Sequence, residues 1–78
     1  MFAEVIVLRN AQTIDRPFTY SVPSNFEDRV TKGARVLVPF GTSGYIEGIV
    51  MSTSDGHAHD EGMTIKNIHY VFKDGGAS

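Results

Sequence analysis

The chain has 78 residues, of which 41% are hydrophobic and 10% aromatic, and its formal net charge is −2. This length allows one small domain with a thin core, and the apolar content is too high for a disordered chain. The slightly negative charge argues against a broad basic surface that would coat a nucleic-acid duplex, and the absence of cysteine excludes disulfides and thiolate metal sites.

Acidic residues are concentrated in one stretch of the chain. Segment 52–63 holds Asp55, Asp60 and Glu61 but no Lys or Arg, and outside it seven basic residues face six acidic ones. A nearly neutral body could still hold one nucleotide by shape, stacking and a few well-placed groups. No secretory leader and no apolar run of about 18 residues is visible, so we expect a cytoplasmic location without membrane contact.

Five segments are predicted strands. In each, β-branched and aromatic residues occur with a period of two, and the segments are 2–8, 18–22, 34–40, 45–51 and 64–72. In the first, Ala3, Val5 and Val7 share one face. In the last, Ile68, Tyr70 and Phe72 are expected on one face, in phase with Lys66.

The connections carry residues that direct the chain. Pro17 favours an extended entry to the second strand, and segment 22–34 begins with Pro-Ser-Asn and has room for a single helical turn. Pro39 has no N–H and is expected to end the pairing of the third strand. Gly48 predicts a bulge, a barrel corner or a close backbone approach within the fourth.

These elements predict a mainly β fold, a small, five-stranded, partly open barrel of the OB or SH3-like kind. The barrel is expected to form one domain over residues 1–73. Residues 74–78, DGGAS, have no structural pattern and are expected to be a disordered tail or a linker.

No catalytic or metal-binding residues are predicted. A Ser or Thr nucleophile would need a His base, and no Gly-x-Ser-x-Gly elbow is present. His57 and His59 could form a metal-binding pair, but their Ser, Gly and acidic neighbours are more typical of a polar hairpin loop. The stretch 41–44 lacks the Lys-Ser/Thr ending of a phosphate-binding loop and is more simply a turn that needs positive φ. The residues alone therefore indicate a β-barrel binding module and leave its ligand open.

The order of the segments is more informative than any one of them. The stretches EVIVL, DRPFTYSVP, GARVLVPFG, GYIEGIV and IKNIHYVF follow one another along the chain. In this order and spacing, over residues 2–73, the chain resembles the amino-terminal DNA-binding domains of the primosomal protein N′ (PriA) family of bacterial replication-restart helicases, and GARVLVPFG is the most specific part. The resemblance implies a rearranged OB-fold-like barrel that captures the 3′ end of the nascent leading strand at stalled replication forks.

The resemblance also implies a DNA 3′-end-binding pocket bordered by Phe18, Thr19, Gly41 and Lys66. In the family an acidic residue stands where this chain has Thr19, which can still accept a hydrogen bond, although without charge. Gly41 has no Cβ and would let a ligand approach the backbone closely, while Phe40 is expected to plug the barrel. Lys66 would supply a point charge for the nearby phosphate.

Partners and cofactors follow from the same resemblance. The implied partners are the 3′ end of single-stranded DNA, forked DNA, the remaining helicase domains, and primosome and single-strand-binding proteins. The fragment alone is expected to have no catalytic site and no cofactor, since ATP, Mg and Zn would belong to the absent parts of an ATP-dependent 3′-to-5′ helicase. The alternative is a protein-interaction barrel that docks other domains, or primosome or replisome proteins, through apolar residues such as Tyr45 and Ile49.

Overall fold

The computed structural model describes residues 1–10, 12–42, 44–56 and 64–73. The predicted mainly β fold is confirmed: the strands are β1 (Phe2–Arg9), β2 (Gln12–Thr13), β3 (Phe18–Ser21), β4 (Arg35–Pro39), β5 (Tyr45–Ser54) and β6 (Tyr70–Val71), with one 3₁₀ turn at Ser24–Phe26. The predicted loop around His57 and His59 and the predicted tail 74–78 lie outside the described residues. Within the described part, no helix is long and apolar enough to cross a membrane.

The strands form one antiparallel sheet around β1. One edge of β1 pairs with β5, and the other edge pairs with β3 near the start of β1 and with β2 at its end. β4 lies between β5 and β6. The register of β1 on β5 shifts between Glu4 and Val5, which face Ser52 and Val50, so Met51 is the extra residue of a β-bulge.

The segment before β6 brings the two edges of this sheet together. The amide of Ser21 donates to the carbonyl of Lys66, and the amide of Ile68 donates back to the carbonyl of Ser21, both at 2.9 Å. The chain then reaches β4, where the amide of His69 donates to the carbonyl of Leu37 at 2.8 Å. One segment therefore touches both β3 and β4, which gives a partly open barrel and fixes the backbone of Lys66.

The core consists largely of valines from the inward faces of the strands. Ala3, Val5 and Val7 are fully buried, as their alternation predicts. Among the three explanations of Gly48, close backbone approach is the correct one. A Cβ at Gly48 would lie 2.5 Å from Cγ1 of Val5 and 3.0 Å from the carbonyl oxygen of Ile6.

Two details differ from the sequence predictions. Ile68 and Val71 are buried and Tyr70 is 42% exposed, so the predicted alternation of the last strand is wrong after Ile68. The chain passes from β3 to β4 at this point, and that crossing interrupts the period of two. The sequence also did not predict β2, which has only two residues and follows Asn10 at a φ of 55°, a left-handed conformation that Asn tolerates better than most residues.

Candidate nucleic-acid interface

All four residues of the predicted site line one depression, which we call the cleft. Its volume is about 560 Å³, and it lies between the start of β3, the β4–β5 turn and the segment before β6. Phe18 and Thr19 come from β3, Gly41 from the turn, and Lys66 from the segment that closes the barrel. The same three elements contribute the other lining residues, Arg16, Pro17, Tyr20, Pro39, Phe40, Thr64 and Ile65.

An aromatic pair forms one wall of the cleft. The rings of Phe18 and Phe40 meet edge to face, with their centroids 5.0 Å apart. Both residues are half-buried and pack against the core, so Phe40 fills the barrel end as predicted while part of its ring lines the cleft. Aromatic rings that line a cleft are the type of surface on which a nucleobase stacks.

Tyr20 fixes the end of β4 beneath the cleft. Its hydroxyl donates a 2.7 Å hydrogen bond to the carbonyl of Pro39, which joins β3 to β4 across the open side of the barrel. Burial raises the pKa of the Tyr20 hydroxyl, so this group stays protonated and remains a donor at neutral pH. The spacing between β3 and β4 beneath the cleft is therefore fixed by a side-chain hydrogen bond as well as by backbone hydrogen bonds.

Pro39 does not end the pairing with β5, contrary to the prediction. It lies opposite Tyr45 in the β4–β5 ladder, and the next amide, that of Phe40, donates to the carbonyl of Gly44 at 2.9 Å. The carbonyls of Arg35 and Leu37 accept bonds from the β6 side. Alternate residues of a strand bond to the same neighbour, so an N–H at Pro39 would point to the β6 side, as the backbone groups of Arg35 and Leu37 do. Pro39 lies beyond Leu37, the last β4 residue that is paired with β6. Proline is tolerated there because no ladder bond is needed.

The β4–β5 turn explains the glycines at its two ends. Gly41 and Gly44 have φ values of +54° and +82°, which confirms that this stretch is a turn requiring positive φ. A Cβ built on Gly41 would meet no protein atom within 4 Å, and the residue is exposed. Its backbone therefore forms an open part of the wall, which a ligand can approach closely.

The hydroxyl of Thr19 is oriented by a carboxylate on the neighbouring strand. Thr19 and Glu4 are register partners in the β1–β3 ladder, and Oγ1 of Thr19 donates a 2.7 Å hydrogen bond to Oε2 of Glu4. Because the hydroxyl proton is used in this bond, the lone pairs of Oγ1 remain available to accept a bond from a ligand. The carboxylate of Glu4 thus lies one hydrogen bond behind Oγ1 of Thr19.

Sequence reasoning did not assign Arg16 to the site. Its guanidinium lies 4.9 Å from the centroid of the Phe18 ring, and the residue lines the same cleft as Lys66. The available signal in the sequence was the position of Arg16 two residues before Phe18, the spacing at which side chains share a side when the backbone is extended. Within the part of the chain that the structure describes, Arg16 and Lys66 are the charged residues that line the cleft.

The described residues include no cluster of three or more His, Asp or Glu side chains that could bind a metal ion. The predicted alternative at His57 and His59 falls outside those residues. The cleft itself offers rings, a hydroxyl, two cations and open backbone, which is a set of groups for binding rather than for bond breaking.

Comparison with known proteins identifies the family. A family model described as the 3′ DNA-binding domain (3′BD) of PriA matches residues 4–76. The chain belongs to the PriA 3′ DNA-binding domain family. The replication restart protein PriA of Bacillus subtilis (strain 168) is 40% identical over 68 residues, which cover 86% of this chain and 8% of that protein. As a PriA 3′ DNA-binding domain, the chain is a DNA-binding module of a replication restart protein, and it spans only a small fraction of the relative it matches.

Proposed function

We propose that the cleft captures the last nucleotide of a DNA strand that ends in a free 3′-hydroxyl. The observation that carries this proposal is the convergence of Phe18, Thr19, Gly41 and Lys66, from three separate elements, on one cleft of about 560 Å³. Sites for small ligands usually have volumes of about 300–1,000 Å³, so this cleft is of a size to hold one nucleotide. The part of the half-buried Phe18 ring that lines the cleft is suited to contact with the base, and the open backbone at Gly41 is suited to contact with the sugar.

The phosphate next to the terminal sugar would lie near Lys66 and Arg16. Both side chains line the cleft, and none of the lining residues in the described ranges is a carboxylate that would repel a phosphate. Both cations are exposed, so each contact contributes modestly and is weakened by salt. Binding through one or two phosphates agrees with a chain that carries a net charge of −2 and no broad basic surface.

Recognition of the 3′-hydroxyl would depend on Thr19 and Glu4. The Oγ1 atom of Thr19, which donates to Glu4, can accept a hydrogen bond from the 3′-hydroxyl of the DNA. A 3′-phosphate has only acceptor oxygens to place against Oγ1 of Thr19, which has no proton left to donate. It would also bring two negative charges close to the Glu4 carboxylate. The pair therefore favours a hydroxyl end over a phosphorylated end.

In its wider context, we propose that this domain belongs to a bacterial replication-restart helicase and captures the 3′ end of the nascent leading strand at stalled forks. The parent would be an ATP-dependent 3′-to-5′ DNA helicase that operates in the cytoplasm, with ATP, Mg and Zn bound by its other parts. Its further partners would be those other domains, primosome proteins and single-strand-binding protein. The family membership supports this proposal.

The decisive comparison uses two short single strands of one sequence that differ only at the 3′ terminus. One ends in a hydroxyl and the other in a phosphate, and each carries a fluorophore at its 5′ end. Binding to the 78-residue chain is followed by fluorescence anisotropy. We expect about tenfold tighter binding of the hydroxyl end, the effect of one hydrogen bond assisted by a charge. Equal affinity for both strands would overturn the end-capture proposal.

The alternative proposal, a protein-interaction surface, is supported by exposed apolar residues on β5. Tyr45 is 55% exposed and Met51 45% exposed. Ile49, which the sequence analysis named as an exposed docking residue, is half-buried between its register partners Ile6 and Arg35, so that part of the prediction is wrong. A surface formed by Tyr45 and Met51 would not respond to the chemistry of a DNA end, and the oligonucleotide comparison therefore separates the two functions.

A further inference from the structure

We propose that a second depression beside the cleft binds the base of the penultimate nucleotide, by stacking on Tyr45 and His69. This inference rests on the proposed function, because it extends the same DNA strand by one step. The depression, which we call the shelf, has a volume of about 490 Å³. Its described lining residues are Pro23, Asn25, Phe26, Pro39, Tyr45, Asn67, Ile68 and His69.

The shelf is built around an exposed stack of two rings. The centroids of the Tyr45 and His69 rings are 4.1 Å apart and their planes differ by 21°. Neither ring belongs to the core: Tyr45 is 55% exposed and His69 is exposed as well. Each is held from the backbone, Tyr45 by its pairing with Pro39 and His69 by the bond from its amide to Leu37. The backbone of both residues is therefore fixed, and their stacked rings present an exposed aromatic surface on which a base can stack.

The shelf and the cleft are neighbours along the path that a DNA strand would follow. Pro39 lines both, and the consecutive residues Lys66 and Asn67 line one each. The two depressions therefore share one wall residue and lie on adjacent stretches of the chain. Lys66 lines the cleft and is the chain neighbour of Asn67 in the shelf, so its ammonium group is suited to the phosphodiester that joins the last nucleotide to the one before it.

The chemistry of the shelf fits a nucleotide better than a docked protein. Among the described residues that line it there is no carboxylate, so this part of the shelf does not repel a phosphate. Asn25 and Asn67 supply amide donors and acceptors at the rim, where base edges would lie. Stacking on an aromatic ring accepts every base, which suits the end of a strand of arbitrary sequence.

The test measures how much affinity the second nucleotide adds. Thymidine 5′-monophosphate and the 5′-phosphorylated thymidine dinucleotide are titrated by NMR into the 78-residue chain and into three variants. Tyr45→Ala removes the stack, Tyr45→Phe keeps a ring, and Met51→Ala is the control, since Met51 is exposed on the same strand and lines neither depression. Thermal unfolding checks that each variant is folded.

We expect the dinucleotide to bind at least fivefold more tightly than the mononucleotide, the lower range of one stacked base. Tyr45→Ala should abolish this increment, whereas Tyr45→Phe and Met51→Ala should keep it. If Tyr45→Ala keeps the increment, the shelf does not bind the penultimate base, and a protein partner is the remaining occupant. This result would not affect the end-capture proposal. Equal binding of hydroxyl and phosphate ends would overturn end capture. The shelf would still be tested by the gain in affinity from mononucleotide to dinucleotide and by its loss in Tyr45→Ala.

Discussion

The two glycines of the β4–β5 turn allow the role of the cleft to be separated from the role of the turn. Gly41 and Gly44 both have positive φ, and a Cβ on either would meet no protein atom within 4 Å. Of the two, only Gly41 lines the cleft. Replacing each by alanine in separate variants therefore imposes the same kind of strain on the backbone but changes the cleft wall in one case only.

The cost of each substitution is set by the left-handed conformation. An L-residue with a Cβ loses about 1–2 kcal/mol there, because Cβ crowds the following carbonyl. In a domain of this size about 1 kcal/mol lowers Tm by about 4–8 °C, so both variants should lose stability to a similar extent and remain folded at 25 °C. Alanine is preferable to valine, since β-branching at positive φ would add strain of its own.

Binding should separate the two variants. In Gly41→Ala the new methyl group occupies the open part of the wall, where the terminal sugar would contact the backbone, and we expect at least about tenfold weaker binding of a 3′-hydroxyl oligonucleotide, a loss of about 1.4 kcal/mol. Gly44→Ala should bind as the unmodified chain does. Anisotropy titrations and thermal unfolding of both variants provide the data. If both variants lose affinity equally, or if neither does, the assignment of Gly41 to a ligand-contacting wall is refuted.

Three further predictions test other parts of the structure. Glu4→Gln should keep the bond from Thr19 but remove the charge, which lowers the preference for a 3′-hydroxyl over a 3′-phosphate; an unchanged ratio of the two affinities would contradict the role of Glu4. Lys66→Ala should reduce the slope of log affinity against log salt concentration by about 0.7, the effect of one phosphate contact on a single strand. Lys32 lies in an exposed turn outside the cleft, so Lys32→Ala should leave that slope unchanged. Gly48→Ala should lower the free energy of unfolding by about 1–3 kcal/mol in denaturant titrations, because its Cβ would lie 2.5 Å from a side-chain carbon of Val5. An unchanged free energy of unfolding would show that the β1–β5 contact is less tight than the structure indicates.

Local patterns were sufficient to predict most of the barrel. The alternation in β1 placed Ala3, Val5 and Val7 on one face, and that face is the buried one, because an eight-residue strand is long enough to show a period of two. The same reasoning failed where long-range pairing decides the path. The residues after Ile68 change hydrogen-bond partners from β3 to β4, so Tyr70 is exposed and Val71 is buried. No residue pattern within the segment predicts that change.

The functional surfaces depended even more on the register of distant strands. The resemblance supplied Phe18, Thr19, Gly41 and Lys66, and the fold brings all four to one cleft. The bond between Thr19 and Glu4 arises only because β3 lies in one particular register on β1. The stack of Tyr45 on His69 likewise needs two residues 24 positions apart to meet beside β4, which no spacing rule in the sequence predicts.

The most direct test of the central claim is to map where a DNA end contacts the domain. Amide chemical shifts of the isotopically labelled 78-residue chain are recorded while a thymidine dinucleotide with a free 3′-hydroxyl is added. The account predicts the largest changes at Thr19, Gly41 and Lys66, followed by Tyr45 and His69. Changes confined to residues outside the cleft and the shelf, or no changes at concentrations that saturate binding, would contradict it.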